Sequence, residues 1–439
     1  MKRIVAILLI VLCFTLSACS ALSLEEEDIL AVPKASGDES EVISLIASNF
    51  SSSFELVYPL SGANKNAVTI CDTGKDVIEA IAVFRTKDEP GTAELLFARK
   101  INDSFTYLGS SAIPTNVIDR VDFADLDGDG KREILVGYQG ASSSLKSIAI
   151  YRTEDEISVT DVTACYSRCV LGDFNSDGAD EVLCVTTGAA SEPPFATLMG
   201  YHPDRGLLPI ADCELNPEAQ EIENLLFGNI AEDIPGVMID ERLESGAYTT
   251  EALYYDKGQK LLINPLFIFE TAENAERSEK LLSKDINNDG ILEIPTVEKA
   301  PIPENAVENA FCNIVVWKDL DFSSYSMQEK KTALICPDGK YTFTLTEDKK
   351  DCITAQYSEE ERKMTLYSLD FDREDTQLSH ELLYIKAYSR DDYQENKVIE
   401  AKLYELSAEV YTFLITNSDD EYAFTDTEVE KSFEILQGS

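Results

Sequence analysis

Apolar runs separated by short acidic turns dominate the chain after residue 50. "EILVGY" and "EVLCVTT" are rich in β-branched and apolar residues, whereas "KTALICPDGKYTFTLTEDKK" nearer the C-terminus alternates apolar and polar positions. Short continuous apolar runs are typical of fully buried strands, and alternation is typical of strands with one buried face. The pattern therefore predicts a mainly β chain.

Three acidic stretches that precede such runs share the frame D-x-[DN]-x-D-G-x-x-E. They are "DLDGDGKRE" from Asp125, "DFNSDGADE" from Asp173 and "DINNDGILE" from Asp285. These starts fit a period of about 50 residues if one further copy lies between the second and the third. A repeat of this length predicts an architecture of the propeller type.

Two further segments fit the same period but have lost most of their acids. One has Asn229, Ala231 and Val237 at frame positions one, three and nine. The other has Cys71, Thr73 and Lys75 at positions one, three and five, and it keeps the glutamate of position nine as Glu79. Lys75 stands where an aspartate would bind a cation, so its ammonium group could replace the lost ion.

The frame supplies the oxygen ligands that calcium prefers, and a glycine at position six permits the sharp turn around one ion. Side chains at positions one, three, five and nine and the backbone carbonyl at position seven are the expected ligands. The sequence therefore predicts up to three structural calcium ions. The predicted ligand sets are Asp125, Asp127, Asp129, the Lys131 carbonyl and Glu133; Asp173, Asn175, Asp177, the Ala179 carbonyl and Glu181; and Asp285, Asn287, Asp289, the Ile291 carbonyl and Glu293.

An EF-hand does not explain these loops. It requires a glutamate at position twelve, where this sequence has Val136, Cys184 and Thr296. The flanking residues also suit strands better than a pair of helices. A nine-residue loop that leads into a buried strand instead resembles the FG-GAP/VCBS repeat of integrin-like β-propellers, over roughly Phe54 to Asp321.

The resemblance implies calcium loops at the rim of propeller blades, where the ions stiffen the fold, and it implies no defined catalytic activity. We favour structural calcium over calcium sensing, because the sequence shows no two-state element. The repeats are expected over residues 51–325. An α+β domain is expected over 326–439, ending in a helix that Thr425 or Asp426 caps and that presents Val429, Phe433 and Leu436 on one face.

The N-terminus has the features of a targeting segment. Lys2 and Arg3 precede the apolar run Ile4–Leu12, and "LSAC" ends at Cys19. This pattern predicts a secretory signal peptide over residues 1–19. The tetrad resembles a bacterial lipobox, which implies a lipid on Cys19 and an anchor on the extracytoplasmic face of the cell membrane. An ordinary signal peptide with an incidental cysteine is the alternative. Residues 20–50 are expected to form an acidic tether and a short helix.

Composition narrows the possible functions. The formal net charge of −44 excludes nucleic acid as an expected partner. The chain has no CxxC zinc motif, and neither His202 nor His380 lies in a nucleophile motif. Cys336 and Cys352 flank a predicted hairpin and are the first pair to test for a disulfide.

Two functions from different classes fit the sequence. The first is a non-catalytic, calcium-binding propeller that acts as a binding or scaffold module for an envelope protein or glycan. The alternative is an envelope carbohydrate-active hydrolase that uses paired carboxylates. Acidic residues are so abundant that the sequence cannot single out such a pair.

Overall fold

A computed structural model describes most of the chain from residue 37 onward. The described residues are 37–115, 117–140, 143–153, 157–187, 193–271, 275–303, 306, 311–338, 340–370, 377–395 and 398–436. The predicted signal peptide, lipidation site Cys19 and acidic tether lie outside these ranges. The chain divides into two compact units, one formed by the described residues 37–59 and 64–115 and the other by residues 60–63 with those from 117 onward.

The first unit is a five-stranded antiparallel sheet with one helix packed on it. Helix α1 spans Gly37–Asn49 and buries Val42 and Ile46, four residues apart, against the apolar face of the sheet. The sheet, here sheet 1, consists of β1 (Phe54–Leu56), β2 (Val68–Asp72), β3 (Ile78–Thr86), β4 (Ala93–Ile101) and β5 (Ser104–Ile113).

The second unit begins with three four-stranded antiparallel sheets, each made of strands that are consecutive in the chain. Sheet 2 contains β6 (Ile118–Ala124), β7 (Glu133–Gln139), β8 (Lys146–Thr153) and β9 (Ile157–Tyr166). Sheet 3 contains β10 (Arg168–Gly172), β11 (Glu181–Thr186), β12 (Phe195–His202) and β13 (Gly206–Glu214). Sheet 4 contains β14 (Ala219–Ala231), β15 (Ile234–Leu243), β16 (Tyr248–Asp256) and β17 (Leu261–Ile263). Their first strands start at residues 118, 168 and 219, which matches the predicted period.

Two five-stranded antiparallel sheets follow. Sheet 5 contains β18 (Ile294–Lys299), β19 (Asn313–Asp321), β20 (Ser326–Ile335), β21 (Tyr341–Leu345) and the C-terminal β27 (Phe433–Ile435). Sheet 6 contains β22 (Ile353–Ser358), β23 (Lys363–Asp370), β24 (Gln377–Ser389), β25 (Ala401–Glu405) and β26 (Glu409–Ile415). The short helices of this unit are α2 (Pro265–Ile268), α3 (Arg390–Glu395) and α4 (Asp426–Ser432). Among the described residues, no helix is long and apolar enough to cross a bilayer.

Consecutive sheets of the second unit pack face to face, which explains the fully apolar strands. In β11, Val182 and Cys184 lie in the core between sheets 2 and 3. Leu183 and Val185 point the other way, into the core between sheets 3 and 4. Further cores join sheet 4 to sheet 5 and sheet 5 to sheet 6. The prediction of a mainly β chain with buried strands is confirmed.

The C-terminal region differs from the sequence prediction in two places. The predicted domain boundary after residue 325 falls in the turn between β19 and β20, and these strands pair from Ile314↔Leu334 to Asp321↔Ser326. The last helix has the predicted cap, since Thr425 and Glu428 form a capping box. It ends at Ser432, however, and Phe433 pairs with Phe343 as part of β27. The prediction that Phe433 and Leu436 lie on one face of this helix is therefore wrong.

Candidate metal centre

The first acidic loop connects β6 to β7 and brings three carboxylates together. One oxygen from each of Asp125, Asp127 and Glu133 lies within 4.8 Å of the other two. Glu133 is buried as the first residue of β7, the other two are half-buried, and Asp129 is exposed. Oxygens this close fit the coordination of one hard cation.

The third loop precedes β18 and forms an equivalent group. Its carboxylates belong to Asp285, Asp289 and Glu293, again within 4.8 Å of one another. Glu293 is fully buried, and its backbone bridges to Lys284 on the other side of the loop. Asn287 is exposed, and its amide donates to Asp289 at 2.8 Å. Two acidic clusters that could hold a metal ion therefore occur where the sequence predicts them.

The second loop, between β10 and β11, differs from these two. Asn175 donates an amide hydrogen to Glu181, so a neutral side chain already satisfies one oxygen of that glutamate. Within the described part of the chain, groups of three mutually close carboxylates occur in the first and third loops, and the predicted set around Asp173 and Asp177 is not among them.

Backbone N–H groups hold the acids in the same way in all three loops. The aspartate at position one accepts from the glycine at position six, at 2.9, 3.0 and 2.9 Å. The aspartate at position five accepts from position seven, and the glutamate at position nine accepts from position two. The residues at position seven, predicted to offer their carbonyls, are Lys131, Ala179 and Ile291; the structure shows their N–H groups in use, and ligation through their oxygens stays a prediction.

The glycine at position six is required by the backbone. Gly130, Gly178 and Gly290 have φ values of 82°, 95° and 89°, in the left-handed region that disfavours side chains. The resulting turn aligns the N–H of each glycine with the first aspartate. The predicted reason for glycine at this position is confirmed.

The glutamate at position nine of each loop has a raised pKa, so its ionised form is disfavoured. Burial, followed by the neighbouring aspartates, raises the pKa of Glu133 to about 7, partly opposed by the N–H of Leu126 and by Arg152. The pKa values of Glu181 and Glu293 are also raised to about 7, again chiefly by burial. A bound cation would favour the ionised form of each glutamate and so lower its pKa.

Two buried carboxylate oxygens in these loops have no hydrogen-bond partner. They are Oδ1 of Asp125 in the first loop and Oε1 of Glu293 in the third. A buried acceptor left unsatisfied costs about 1–3 kcal/mol, and more when it is charged. A cation bound in each of the two loops would satisfy these atoms.

Loops of neighbouring sheets touch in a repeated manner. The N–H of Asp180, at position eight of the second loop, donates to the carbonyl of Asp125 at 2.7 Å. The N–H of Leu292, at position eight of the third loop, donates to the carbonyl of Asn229 at 2.8 Å. Asn229 therefore occupies position one of sheet 4, as the period predicts, and the loops of adjacent sheets lie side by side.

The two acid-poor copies occupy the same place in their sheets but need no ion. In sheet 4, β14 and β15 join through a tight hairpin in which Asp233 has φ 56°. In sheet 1, Glu79 pairs with Arg99 on the next strand at 2.6 Å, whereas Lys75 is exposed. Arg99 therefore supplies a side-chain cation to the glutamate of this copy, and the role predicted for Lys75 stays a prediction.

Sequence reasoning missed the residue that faces each loop glutamate across the sheet. We call this the facing position. In sheet 1 it is occupied by Arg99, which pairs with Glu79. In sheets 2, 3 and 5 the register, extended by one residue past the last strand pair, places Arg152, Gly200 and Asp319 opposite the loop glutamates. The facing residue follows the loop glutamate by 19 residues in sheets 2 and 3 but by 26 in sheet 5, so a fixed spacing from the frame does not reveal Asp319.

The cysteines play no part in this site. Cys336 and Cys352 are not joined by a disulfide, so the pair predicted as the first to test is not bonded in the structure. Cys184 is buried in the core between sheets 2 and 3, as its apolar surroundings predict. Burial raises the pKa values of several of them, as at Cys213, where it reaches about 11.

Comparisons with known proteins add little to this geometry. No protein-family model matches the chain, and no curated protein sequence matches it. Among solved structures, the exotype rhamnogalacturonan lyase YesX has 10% sequence identity and a TM-score of 0.30, covering 82% of this chain and 90% of its own. Rhamnogalacturonan lyase YesW has 10% identity and a TM-score of 0.28, covering 74% of this chain and 68% of its own. At these TM-scores the likeness supports no conclusion about activity.

Proposed function

We propose that this protein is a non-catalytic, calcium-stabilised β-propeller of the FG-GAP/VCBS type that serves as a binding module at a bacterial cell surface. The observation that carries the proposal is the shared geometry of the three acidic loops. Each repeats the same backbone-to-carboxylate hydrogen bonds at the same edge of its sheet. The first and third also hold buried carboxylate oxygens without hydrogen-bond donors, which a cation would satisfy.

Calcium in these loops has a structural role in the proposal. Each predicted ion would link the end of one strand to the start of the next, and neighbouring loops are joined by backbone hydrogen bonds. Ordering a loop therefore also orders the loop beside it. Each loop leads into a strand buried in the fold, which leaves little freedom for a large conformational switch.

The site of action is proposed from the N-terminal sequence. The lipobox-like "LSAC" supports lipidation of Cys19 and anchoring on the extracytoplasmic face of the membrane, with an envelope protein or a glycan as the bound partner. Mass spectrometry of the mature N-terminus should find a diacylated Cys19. An unmodified terminus elsewhere would remove the anchor from the proposal.

The hydrolase alternative draws little support from the described residues. Glu241 and Glu251 form a buried carboxyl pair on adjacent strands of sheet 4, but they are 0% and 4% exposed, so a glycan cannot reach them. His380 contacts Asp420 at 2.8 Å and Ser379 at 3.1 Å through the same nitrogen, Nδ1. A serine triad needs the base to use its two nitrogens for the two partners.

Calorimetric titration of the purified protein with calcium tests the proposal. We expect saturable binding of at most three ions, and Asp125→Ala, Asp173→Ala and Asp285→Ala should each remove at most one. Absence of binding in the millimolar range would overturn the calcium role. Release of reducing or unsaturated sugars from envelope polysaccharides would overturn the non-catalytic role.

A further inference from the structure

The facing position differs between the loops in a way that bears directly on an ion. Resting on the proposed calcium function, we propose that this residue sets the affinity of each loop, and that Asp319 makes the third loop the tightest site while Arg152 makes the first loop weaker. Neither residue belongs to the nine-residue frame, so loops that share this frame would bind calcium with different affinities.

Asp319 adds a carboxylate to the third loop from outside it. The strand register places it opposite Glu293, because Ile294 pairs with Lys318. It is 6% exposed, and its Oδ1 is buried without a hydrogen-bond partner, as is Oε1 of Glu293. Asp319 lies outside the three carboxylates that approach within 4.8 Å of one another, but its position opposite Glu293 and the unpaired buried oxygen on each residue are what a shared cation would satisfy.

Lys330 does not fill that role. Its ammonium contacts Oδ2 of Asp319 at 2.6 Å, which leaves Oδ1 without a donor. The lysine side chain is 34% exposed, so its charge is partly screened by water. The Lys330 charge also acts on Asp289 and Glu293, so the lysine lies near the loop, but it leaves Oδ1 of Asp319 available to an ion.

Arg152 brings a positive charge to the same position of the first loop. Its guanidinium lies 3.2 Å from Oδ2 of Asp127 and 3.6 Å from Oε1 of Glu133. Both carboxylates are predicted ligands. An arriving calcium ion must therefore compete with a guanidinium for these oxygens and be repelled by it, which lowers the affinity of the loop.

The remaining facing residues support this reading of the position. In sheet 1, Arg99 pairs with Glu79, and there the loop has lost the acids that would bind an ion. In sheet 3 the facing position is Gly200, which has no side chain. The second loop therefore shows the frame without any charge at the facing position. A cation, no side chain and an anion thus occupy one structural position in different copies.

The test isolates one loop at a time in the full chain. Asp125→Ala with Asp173→Ala leaves the third loop, and Asp173→Ala with Asp285→Ala leaves the first. Calorimetric titration with calcium should show at least tenfold tighter binding by the third loop. Asp319→Asn should weaken that loop at least tenfold, whereas Arg152→Gln should tighten the first loop at least tenfold. Equal affinities of the two loops, or an unchanged affinity after Asp319→Asn, would overturn the inference.

Thermal melts separate a ligand role of Asp319 from a purely structural one. If Asp319 serves the ion, Asp319→Asn relieves repulsion between buried carboxylates, so it should raise the melting temperature in chelator and reduce the increase that calcium produces. If Asp319 only pairs with Lys330, the substitution should lower the melting temperature equally in both conditions, which would overturn the inference. Lys330→Gln is the matched control: it removes the cation beside Asp319, so calcium binding should be kept or tightened, which is the opposite of the effect of Asp319→Asn.

The two proposals fail in different ways. If the third loop binds calcium and Asp319→Asn changes nothing, the affinity inference is wrong and the calcium function stands. If neither isolated loop binds calcium up to millimolar concentrations, both are wrong. Arg152→Asp supplies a gain-of-function check, because it should give the first loop an affinity close to that of the third.

Discussion

Sheets 4 and 5 complete the same edge of the fold by different means. In sheet 4 the strands meet in a tight hairpin, and only the backbone of Asn229 contacts the next loop. In sheet 5 the corresponding segment opens into a nine-residue loop with three close carboxylates. The hairpin is complete without a ligand, whereas the loop concentrates negative charge that a cation would offset. One structural position can therefore be closed by the backbone or by a bound ion.

The largest expected effect comes from the matched first positions of these two segments. Asp285→Ala removes an expected ligand and the acceptor for Gly290 N–H, so with saturating calcium it should destabilise the protein by about 2–4 kcal/mol. Asn229→Ala is its control and should change the free energy of unfolding by less than about 0.5 kcal/mol, because only the backbone is used. Denaturant unfolding measures the change in the free energy of unfolding for each variant. Equal changes would contradict the proposed difference between the two segments.

Sheet 1 offers a second comparison, between an ion and a side-chain cation. Arg99→Ala leaves the buried carboxylate of Glu79 without its guanidinium partner and should destabilise the first unit by about 1–3 kcal/mol. Because no calcium is involved, this loss should be the same in calcium and in chelator. Unfolding curves in both conditions provide the measurement, and rescue of the variant by calcium would contradict the assignment.

The carboxyl pair inside sheet 4 gives a pH-dependent contrast with the loops. Burial, and then the nearby Glu251 carboxylate, raise the pKa of Glu241 well above its usual range. A raised pKa means that the folded state keeps a proton the unfolded chain releases. The contribution of Glu241 to the free energy of unfolding is therefore fully present below about pH 4.5. It is lost as the pH rises toward the pKa of the folded state, by up to about 1.4 kcal/mol per pH unit.

Glu241→Gln keeps a neutral side chain of the same size and should remove this decrease. At pH 8 the variant should be more stable than the wild type by about 1–2 kcal/mol, and at pH 4 the two should be similar. Chelator should be present throughout, so that calcium binding does not contribute. Parallel stability profiles of the two proteins between pH 4 and 8 would contradict the prediction.

The smallest effect is expected at an exposed ligand. Asp129 is exposed and accepts from Lys131 N–H at 2.7 Å. Asp129→Ala should weaken the first site about fivefold, lower stability in saturating calcium by about 1 kcal/mol, and leave the sites at Asp173 and Asp285 unchanged. Titration of the single variant measures this, and loss of binding at all loops would show that the sites are not independent.

The local features of the loops could be predicted from the sequence, but the contacts between strands could not. The frame located Gly130 and its turn, the acids around Asp125 and the strand that begins at Glu133, because these depend on neighbouring residues. The place of Asn229 also followed from the period. Arg152 and Asp319 could not be found, because they reach the loops through strand register across turns of unequal length. The end of helix α4 was missed because β27 pairs with a strand nearly a hundred residues earlier.

A pair of thermal melts, one in calcium and one in chelator, tests the central claim most directly. Calcium binds the folded loops and hardly binds the unfolded chain, so each occupied site should add about 2.7 kcal/mol at a hundredfold excess over its dissociation constant. We predict a melting temperature several degrees higher in calcium, and a smaller difference for Asp285→Ala. Superimposable melts of the wild type in millimolar calcium and in chelator would contradict the account.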